Sequence, residues 1–403
     1  MKIIDMKSKY ILGIMTMMLI ASCSKDFLDP VSLSTTDKNA IYSNVDDARS
    51  AVNAIYVAFS SGDGFRSRLS NNFTGNTDIE HQSGYENQSG GRRPIWNLDA
   101  TANNSDLIKV WTSAYLAIND CNNAISGLTN SGNLVGENAE VYNQLLGEAY
   151  TIRAYWYSML IYYFGDVPYV VEPTTPDSNF FVPKKNRNEI LSNEIEALIS
   201  IEEGMLWADE VSYGVEQINR DYTLGMIARL ALQRGGYYLK PNLSMVRDSD
   251  YLDYYQIAKT YTKKLIDLKD RPLPKDYRQI FMNQCKYIVG DYSNSDILFE
   301  VPYALGEGDV AWNVGVFVDA GEGVKHDFGG GNNYMDIPET YYLSFDSKDI
   351  RRDVTCGLYE INLEGNPQFI DRYGISQGKW SRHFTPTPLG KESSKGTGIN
   401  WYQ

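Results

Sequence analysis

The most constraining feature of the sequence is the run AEVYNQLLGEAYTIRAYWYSMLIYYFG at residues 139–165. Apolar residues recur through it every three or four positions, and this spacing predicts one long helix. Gly165 ends the pattern and Pro168 prevents it from resuming, because glycine favours the end of a helix and proline cannot continue one. A chain built around this helix has to bury most of its aromatic length against other helices.

Two further helical patterns precede this run, at residues 45–61 and 105–125, and Ser105 is favoured as the N-cap of the second. Additional helices are predicted at residues 187–203, 219–239 and 251–269. Paired helices with small residues at their contacts resemble a tetratricopeptide-type repeat, although no strict repeat register is present. We therefore predict a mainly α fold.

The character of the sequence changes at about residue 270. Short segments such as DILFEVPYAL and Gly- and Asn-rich stretches such as GEGVKHDFGGGNNYMD replace the helical patterns. These features predict loops and short strands. The predicted organisation is therefore a mostly helical region at 23–270 followed by a loop-rich region at 271–403.

The N-terminus has the pattern of an export signal. Lys7 and Lys9 precede an apolar run from Tyr10 to Ser22 that is too short to span a bilayer. The run ends in IASC, which resembles a bacterial lipobox and predicts a signal peptide at residues 1–22 with lipidation of Cys23. The alternatives are an ordinary secretory peptide with an incidental cysteine, or a buried cysteine in a short helix.

Charge and composition exclude some partners. The formal net charge is −14, which disfavours nucleic acid and anionic lipid surfaces because the long-range field of the protein repels phosphates. The chain also contains 30 Tyr and 7 Trp, more than a core alone usually needs. Because these side chains combine an apolar face with a polar edge, the excess favours a binding surface, although helical-repeat cores also use many Tyr.

No metal, cofactor or disulfide site is predicted. Apart from Cys23, the cysteines form an odd set without C-x-x-C spacing, and the histidines match no metal-ligand motif. These residues are Cys121, Cys285, Cys356, His81, His326 and His383. Cys121 lies on the apolar face of its predicted helix and is interpreted as a core residue. The Gly-rich stretch after residue 320 matches no phosphate-binding motif.

The long helix and the turn after it resemble a known family. AYTIRAYWYSMLIYYFGDVPYV fits the A-x-x-x-R-A-x-x-Y-x-x-L-x-x-x-F-G-D-V-P-x-V helix of the SusD/RagB-like outer-membrane nutrient-binding lipoproteins. CSKDFLDP is similar to the family's mature N-terminus, and IPETYYLSFDSKDIRRDVTC to its P-T-x-x-L-x-x-x-F-x-x-x-D-x-R element. The resemblance extends over essentially the whole chain and implies a SusD-like glycan-binding domain at residues 23–403.

Two features depart from the family pattern. Asp296 stands where members usually have Glu. The sequence closes on GTGINWYQ, where members continue into a helix containing R-Y-A-D, so the final helical repeat is expected to be missing. Either a truncated reading frame or fragment, or a shorter variant, would account for this.

The resemblance implies capture of oligosaccharides at the cell surface, with a lipid anchor in the outer membrane and delivery to a SusC-like TonB-dependent transporter. Aromatic faces flanked by amides and carboxylates suit sugar rings, and such residues are found in the predicted loops 62–100 and 303–335. The candidate glycan-binding residues are Tyr85, Trp96, Asn97, Tyr303, Trp312 and Asn332. The rings of Trp96 and Trp312 are expected to face solvent. For any single ring, packing of the loop onto the scaffold is the alternative.

Two other functions compete with glycan capture. A glycosidase needs two positioned carboxylates, and nothing in the sequence positions a pair such as Asp78 and Glu80. Asp166 is interpreted as part of a structural turn rather than as a catalytic residue. The enzyme hypothesis is therefore rejected. The second alternative is a helical-repeat scaffold at the outer membrane that binds proteins and has no glycan site of its own.

Overall fold

A computed structural model describes most of the chain. It covers residues 38–75, 77–82, 91–286, 288–293, 295–303, 310–370, 374–385 and 401–402. The fold of these residues is mainly α, with short two-stranded sheets among the loops, which confirms the predicted fold class. Among the helices in these ranges, none is both long and apolar enough to cross a membrane.

Twelve α-helices lie in the described ranges. They are α1 (Lys38–Ile41), α2 (Val45–Ser60), α3 (Arg92–Trp96), α4 (Ser105–Asn130), α5 (Ala139–Phe164), α6 (Arg187–Ile201), α7 (Arg220–Gly235), α8 (Tyr251–Lys269), α9 (Tyr277–Cys285), α10 (Val310–Asn313), α11 (Glu339–Ser344) and α12 (Arg352–Thr355). A π-helical turn spans Arg68–Asn72. The six helices predicted from periodicity are all present, as α2 and α4 to α8.

The start of α4 differs from the prediction. Its N-cap is Asn104, whose Oδ1 accepts hydrogen bonds from the backbone N–H groups of Asp106 and Leu107 at 3.0 and 3.1 Å. Ser105 is instead the first residue of the helix. Both residues are good capping types, but only Asn104 has the extended backbone that aims its side chain at the free N–H groups of the first turn.

The long helix α5 lies at the centre of the core. It packs against α4 and α6, and α2 packs against both α4 and α5. Trp156, Tyr142, Tyr155 and Tyr157 on α5 are among the largest fully buried side chains of the described residues. Burying a large side chain contributes roughly 1.5–3 kcal/mol, so this helix contributes much of the scaffold's stability. Cys121 is fully buried in the same core, which confirms its interpretation as a core residue.

A buried ion pair joins α5 to α6. The Nε atom of Arg153 lies 3.3 Å from the Glu194 carboxylate, and Nη1 of Arg153 donates to Oδ1 of Asn122 at 3.3 Å. The hydroxyl of Tyr169 donates to Glu194 at 2.8 Å. Desolvation raises the pKa of Glu194, and the Arg153 charge and the Tyr169 hydrogen bond oppose that shift. The ion pair therefore ties the two helices together inside the core.

The turn after α5 is built around Gly165. Its φ of 79° lies in the left-handed region, and a Cβ at this position would collide with the guanidinium of Arg187. Oδ1 of the next residue, Asp166, accepts a hydrogen bond from Nε of Arg187 at 2.8 Å. Asp166 therefore anchors the turn to the start of α6, as its structural interpretation requires.

The strands are short and all pair antiparallel. They are β1 (His81–Gln82), β2 (Val167–Pro168), β3 (Lys184–Lys185), β4 (Tyr238–Leu239), β5 (Met245–Val246), β6 (Glu300–Val301), β7 (Met335–Asp336), β8 (Cys356–Gly357), β9 (Tyr359–Ile361), β10 (Pro367–Phe369), β11 (Ser376–Gln377) and β12 (Trp401–Tyr402). The pairs are β1 with β7, β2 with β3, β4 with β5, β6 with β12, β8 with β11 and β9 with β10. Because β1 and β7 are distant in sequence, their pairing joins the two regions predicted to bind ligand.

Candidate functional site

The β1–β7 pair is where the two predicted loop regions meet. His81 stands opposite Asp336 in the antiparallel register, and Gln82 stands opposite Met335. The sequence placed candidate residues in loops 62–100 and 303–335 without showing that these loops are close in space. The strand pair lies within the first loop and at the end of the second, so it holds them side by side.

Around this junction lies a group of residues that we call the Arg92 cluster, consisting of Arg92, Trp96, Trp312, Asn332 and Tyr334. The guanidinium carbon of Arg92 is 4.5 Å from the ring centre of Tyr334 and 5.5 Å from that of Trp96. The Trp312 ring meets the Tyr334 ring edge to face, with centres 5.5 Å apart. Nδ2 of Asn332 donates to the Tyr334 hydroxyl at 2.6 Å. The cluster thus combines aromatic faces, a cation and an amide.

Backbone contacts fix the part of the cluster contributed by the second loop. The N–H of Asn332 donates to the carbonyl of Trp312 at 2.8 Å, and the N–H of Tyr334 donates to the carbonyl of Asn313 at 2.6 Å. The buried Arg382 donates to the carbonyls of Phe328 and Gly330 at 2.9 and 2.7 Å. These bonds hold the Gly-rich stretch in place just before Asn332.

The part contributed by the first loop is fixed through the start of α4. Nδ2 of Asn104 donates to the carbonyl of Gly91 at 2.6 Å, immediately before Arg92. Asp106 accepts from Nε of Arg68 at 3.1 Å and from Nδ2 of Asn72 at 2.8 Å, which ties the π-helical turn to the same helix end. Arg92 and Trp96 therefore stand on a short helix that is anchored to the main scaffold.

Two of the predicted site residues are buried in the core. Trp96 is 8% exposed and Tyr303 is 7% exposed, and both belong to the main apolar cluster. The expectation that the Trp96 ring faces solvent was therefore wrong: the short helix α3 turns the ring inward, where Met335 and Trp96 both approach Gly75. Trp312 and Asn332, by contrast, are only half-buried and can present part of their surface to a ligand.

The other predicted residues are less informative. Asn97 is exposed just after α3, where its backbone N–H caps the helix by donating to the carbonyl of Arg93 at 3.0 Å. Tyr85, and Cys23 as the predicted lipidation site, lie outside the described residues.

A carboxyl group lies beside the cluster on β7. Desolvation raises the pKa of Asp336 to about 6, while the charge of His81 and a hydrogen bond from Asn333 oppose the shift. The hydrogen bond runs from Nδ2 of Asn333 to Oδ1 of Asp336 over 2.9 Å. Asn333 has a φ of 44°, a left-handed conformation that Asn tolerates better than most residues. The site can thus change charge near pH 6.

An aromatic-lined groove of about 450 Å³ lies near the cluster, and we call it the Tyr163 groove. Its lining residues are Phe73, Thr74, Thr77, Glu80, Ile95, Leu107, Tyr162 and Tyr163. Ile95 directly precedes Trp96, and Glu80 directly precedes β1. The Phe73 and Tyr163 rings meet edge to face with centres 4.8 Å apart. The groove thus borders the cluster through Ile95 and the start of α4 through Leu107.

Chemically, this arrangement is suited to non-covalent recognition. Half-buried aromatic faces can receive the C–H faces of a sugar ring, while Arg92 and Asn332 offer hydrogen-bond donors to its hydroxyl groups. Sequence reasoning missed the central role of Tyr334. Its position two residues after Asn332, in the same Gly- and Asn-rich stretch, was the signal that could have identified it. Arg92 was not among the predicted site residues either.

A mainly α scaffold that carries a candidate surface of aromatic, amide and guanidinium groups is the architecture of a helical-repeat protein suited to ligand binding. The chain belongs to the SusD-like family: a family model described as "Starch-binding associating with outer membrane" matches residues 26–227. This confirms the family inferred from the helix and its G-D-V-P turn, and the description associates the family with carbohydrate and with the outer membrane.

One curated relative is SusD-like protein P2 of Formosa agariphila, which is 23% identical over 363 residues. The alignment covers 89% of this chain and 66% of the relative, so the chain spans just under two thirds of the relative's length.

Solved structures show the same fold. A SusD homolog from Bacteroides thetaiotaomicron superposes with a TM-score of 0.79 at 18% identity, covering 92% of this chain and 73% of its own. Surface glycan-binding protein A from the same species, in complex with laminarihexaose, gives a TM-score of 0.65 at 14% identity, with coverages of 89% and 76%. The counterpart from Bacteroides uniformis gives 0.63 at 17%, with coverages of 89% and 72%. At these identities the likeness establishes the fold alone.

Proposed function

We propose that the protein captures oligosaccharides at the cell surface through the Arg92 cluster, without covalent chemistry of its own. The observation that carries the proposal is that Trp312, Tyr334 and Asn332 present partly exposed polar and aromatic surface beside Arg92. Stacking on half-buried rings combined with hydrogen bonds to hydroxyls is how an uncharged, hydroxyl-rich ligand is held. Membership of a family described as starch-binding supports the same ligand class.

The proposed setting is the outer membrane. Lipidation of Cys23 after removal of residues 1–22 would anchor the glycan-binding domain, residues 23–403, to the membrane and expose it on the cell surface. Captured oligosaccharides would then pass to a SusC-like TonB-dependent transporter. The lipobox-like IASC supports the anchor, and the family description supports the membrane.

Affinity gel electrophoresis tests the binding proposal. The protein without its first 23 residues is run through native gels containing starch, laminarin, xyloglucan, galactomannan, arabinoxylan or pectic galactan. We expect retardation on at least one of these gels and its loss in Trp312→Ala. Phe369→Ala is the matched control, because Phe369 is a large ring that is 71% exposed on β10, outside the cluster.

The protein-interaction scaffold is the competing proposal. It predicts that the isolated protein migrates identically on all gels, with and without polysaccharide, while still binding its transporter. Release of reducing sugar from any of the polysaccharides would contradict the statement that the protein has no catalytic chemistry.

A further inference from the structure

A second aromatic-lined groove lies where the chain leaves α5, and we call it the Trp111 groove. It has a volume of about 360 Å³. One wall is formed by Trp111 and Tyr115 on α4, and the other by Pro168 and the chain that follows it. The remaining lining residues are Val170, Glu172, Pro173, Thr174, Ser178, Asn179, Phe180 and Val182. None of these residues belongs to the Arg92 cluster.

Hydrogen bonds fix both walls of this groove. The Tyr115 hydroxyl donates to the carbonyl of Pro168 at 2.7 Å. The N–H of Thr174 donates to Oδ1 of Asn119 at 2.9 Å, and Nδ2 of Asn122 donates to the carbonyl of Val170 at 3.0 Å. The connection after α5 is thus tied to α4 at three positions. Since its walls are held in place, the groove is formed before any ligand arrives.

The α4 wall of the groove is aromatic. The Trp111 ring lies 5.0 Å from the Tyr115 ring and 5.1 Å from the Phe164 ring, centre to centre. Trp111 and Tyr115 are both half-buried, so part of each ring stays accessible. Phe180 at the rim is 71% exposed. These rings offer flat apolar surface on two sides of the groove.

The rim of the groove is polar but carries little charge. Thr174, Ser178 and Asn179 contribute hydroxyl and amide groups, and Glu172 contributes the one formal charge among the lining residues. A phosphate or another anion would meet no cation here and would face a carboxylate. A purely apolar ligand would leave the polar rim without partners. Alternating apolar faces and hydroxyl groups, as in a saccharide, match this lining best.

On both α4 and α5, residues that line or support the Trp111 groove are neighbours of residues that line the Tyr163 groove. Leu107 lines the Tyr163 groove and stands one helical turn before Trp111 on the same face of α4. Tyr163 lines the Tyr163 groove, and the next residue, Phe164, packs against Trp111. From Leu107 to Tyr115 the helix advances about 12 Å, which is more than the length of one sugar ring.

We propose that the Trp111 groove is a second saccharide contact, occupied by a distant part of the same glycan chain that the Arg92 cluster holds. This inference rests on the proposed function for its ligand class and adds the expectation that the ligand is a chain rather than a mono- or disaccharide. Two contacts linked by one chain bind more tightly than either contact alone, because the second binding event is intramolecular.

The test compares two adjacent phenylalanines on the exit loop. Phe180 lines the groove, whereas Phe181 is 92% exposed and does not line it. Phe180→Ser, Phe181→Ser, Trp111→Ala, Trp312→Ala and wild-type protein are run on affinity gels containing the six polysaccharides named above. Thermal unfolding of each variant shows whether it is folded. Phe180→Ser should keep the wild-type melting temperature, because its ring is mostly in solvent.

We expect Phe180→Ser to bind the retarding polysaccharide about three- to tenfold more weakly, as for losing one aromatic contact, and Phe181→Ser to bind as wild type. Trp111→Ala should weaken binding at least as much. Equal binding by Phe180→Ser and wild type, while Trp312→Ala loses binding, overturns the second contact and leaves the proposed function intact. Equal weakening of polysaccharide binding by Phe180→Ser and Phe181→Ser also overturns the second contact. If wild-type protein is retarded on no gel, the proposed function fails and this inference fails with it.

Discussion

The guanidinium carbon of Arg92 lies 4.5 Å from the centre of the Tyr334 ring, although the two residues belong to loops far apart in the sequence. A cation placed over an aromatic face contributes about 0.5–2 kcal/mol, depending on how far it is desolvated. This contact therefore does more than bring two side chains of the proposed site together. It also helps to hold the two loops in the arrangement that a ligand meets.

The two tryptophans of the cluster should respond differently to truncation. Trp312→Ala should weaken glycan binding by about 1–3 kcal/mol with little change in melting temperature, because its ring is only half-buried. Trp96→Ala should instead destabilise the fold by about 3–5 kcal/mol, because its ring is buried in the core. Trp156→Ala is the core reference, since Trp156 is fully buried in α5. Chemical denaturation measures the loss of stability, and affinity gels measure the loss of glycan binding. Equal losses of stability in Trp312→Ala and Trp156→Ala would show that the Trp312 ring is a packing residue.

The buried pair of Arg153 and Glu194 should show strong coupling. Arg153→Met leaves the Glu194 carboxylate buried without its cation and should cost about 3–5 kcal/mol. Glu194→Leu alone should also destabilise the protein, because it strands the guanidinium. The double variant should recover a large part of the loss, since no buried charge is left uncompensated. Urea unfolding of the wild type, the two single variants and the double variant gives the coupling energy. Additive effects of the single variants would show that the pair does not act as a unit.

Gly165 and Gly132 provide a matched test of the turn after α5. Both have positive φ, 79° and 75°, but only at Gly165 would a Cβ meet a neighbour, the Arg187 guanidinium. Gly132→Ala should cost about 1 kcal/mol from backbone strain alone. Gly165→Ala should cost more, because its φ of 79° and ψ of −123° form a conformation that is adopted essentially by glycine alone, and because Arg187 has to move. Melting temperatures measured in parallel decide this, and equal losses would show that the close approach to Arg187 does not matter.

Asp336 should make stability depend on pH. Its pKa is raised from 3.8 to about 6 in the folded protein, so between these values the unfolded chain releases a proton that the folded protein keeps. This contribution therefore lowers the free energy of unfolding as pH rises from about 4 to about 6, and stays constant above that range. Asp336→Asn should remove this dependence. The free energy of unfolding of the variant minus that of the wild type should therefore be about 1–3 kcal/mol larger at pH 7 than at pH 4. Urea denaturation of the wild type and Asp336→Asn between pH 4 and pH 7 measures this difference. Parallel curves of unfolding free energy against pH would contradict the raised pKa of Asp336.

Anchoring can be tested through Cys23. Cys23→Ser removes the thiol that lipidation requires, so we expect the protein to move from the membrane fraction to the soluble fraction. Cys121→Ser is the control, because Cys121 is buried in the core and should not affect fractionation. A Cys23→Ser protein that stays in the membrane fraction with wild-type gel mobility would show that the lipoprotein prediction is wrong.

Sequence reasoning predicted the helical scaffold well, because burial of apolar residues at helical spacing leaves a strong pattern in α2 and in α4 to α8. It missed α9, Tyr277–Cys285, where polar residues interrupt that pattern. It also assigned the cap of α4 to Ser105 rather than Asn104, since residue type alone cannot distinguish two adjacent good caps. Within the site, composition identified the two loops and Trp312.

Composition could not establish the direction in which each ring points. Trp96 and Tyr303 lie in segments predicted to be loops, yet both are buried, because side-chain direction depends on how a loop folds back on the core. The contact of Arg92 with Tyr334 is likewise invisible in the sequence, since it depends on the pairing of β1 with β7. Local patterns predict elements, whereas long-range pairing creates the site.

That pairing of β1 with β7 also bears on the order in which the protein acquires its parts. His81 and Asp336 are separated by most of the helical scaffold, and closing so large a loop costs chain entropy that only a largely folded molecule can offset. The helices consist of contacts between neighbours in sequence, which form quickly, whereas two-residue strands joined over this separation form slowly. We therefore expect the proposed binding surface to assemble late in folding. A nascent or partly unfolded chain would then have helices before it has the surface proposed to hold the ligand.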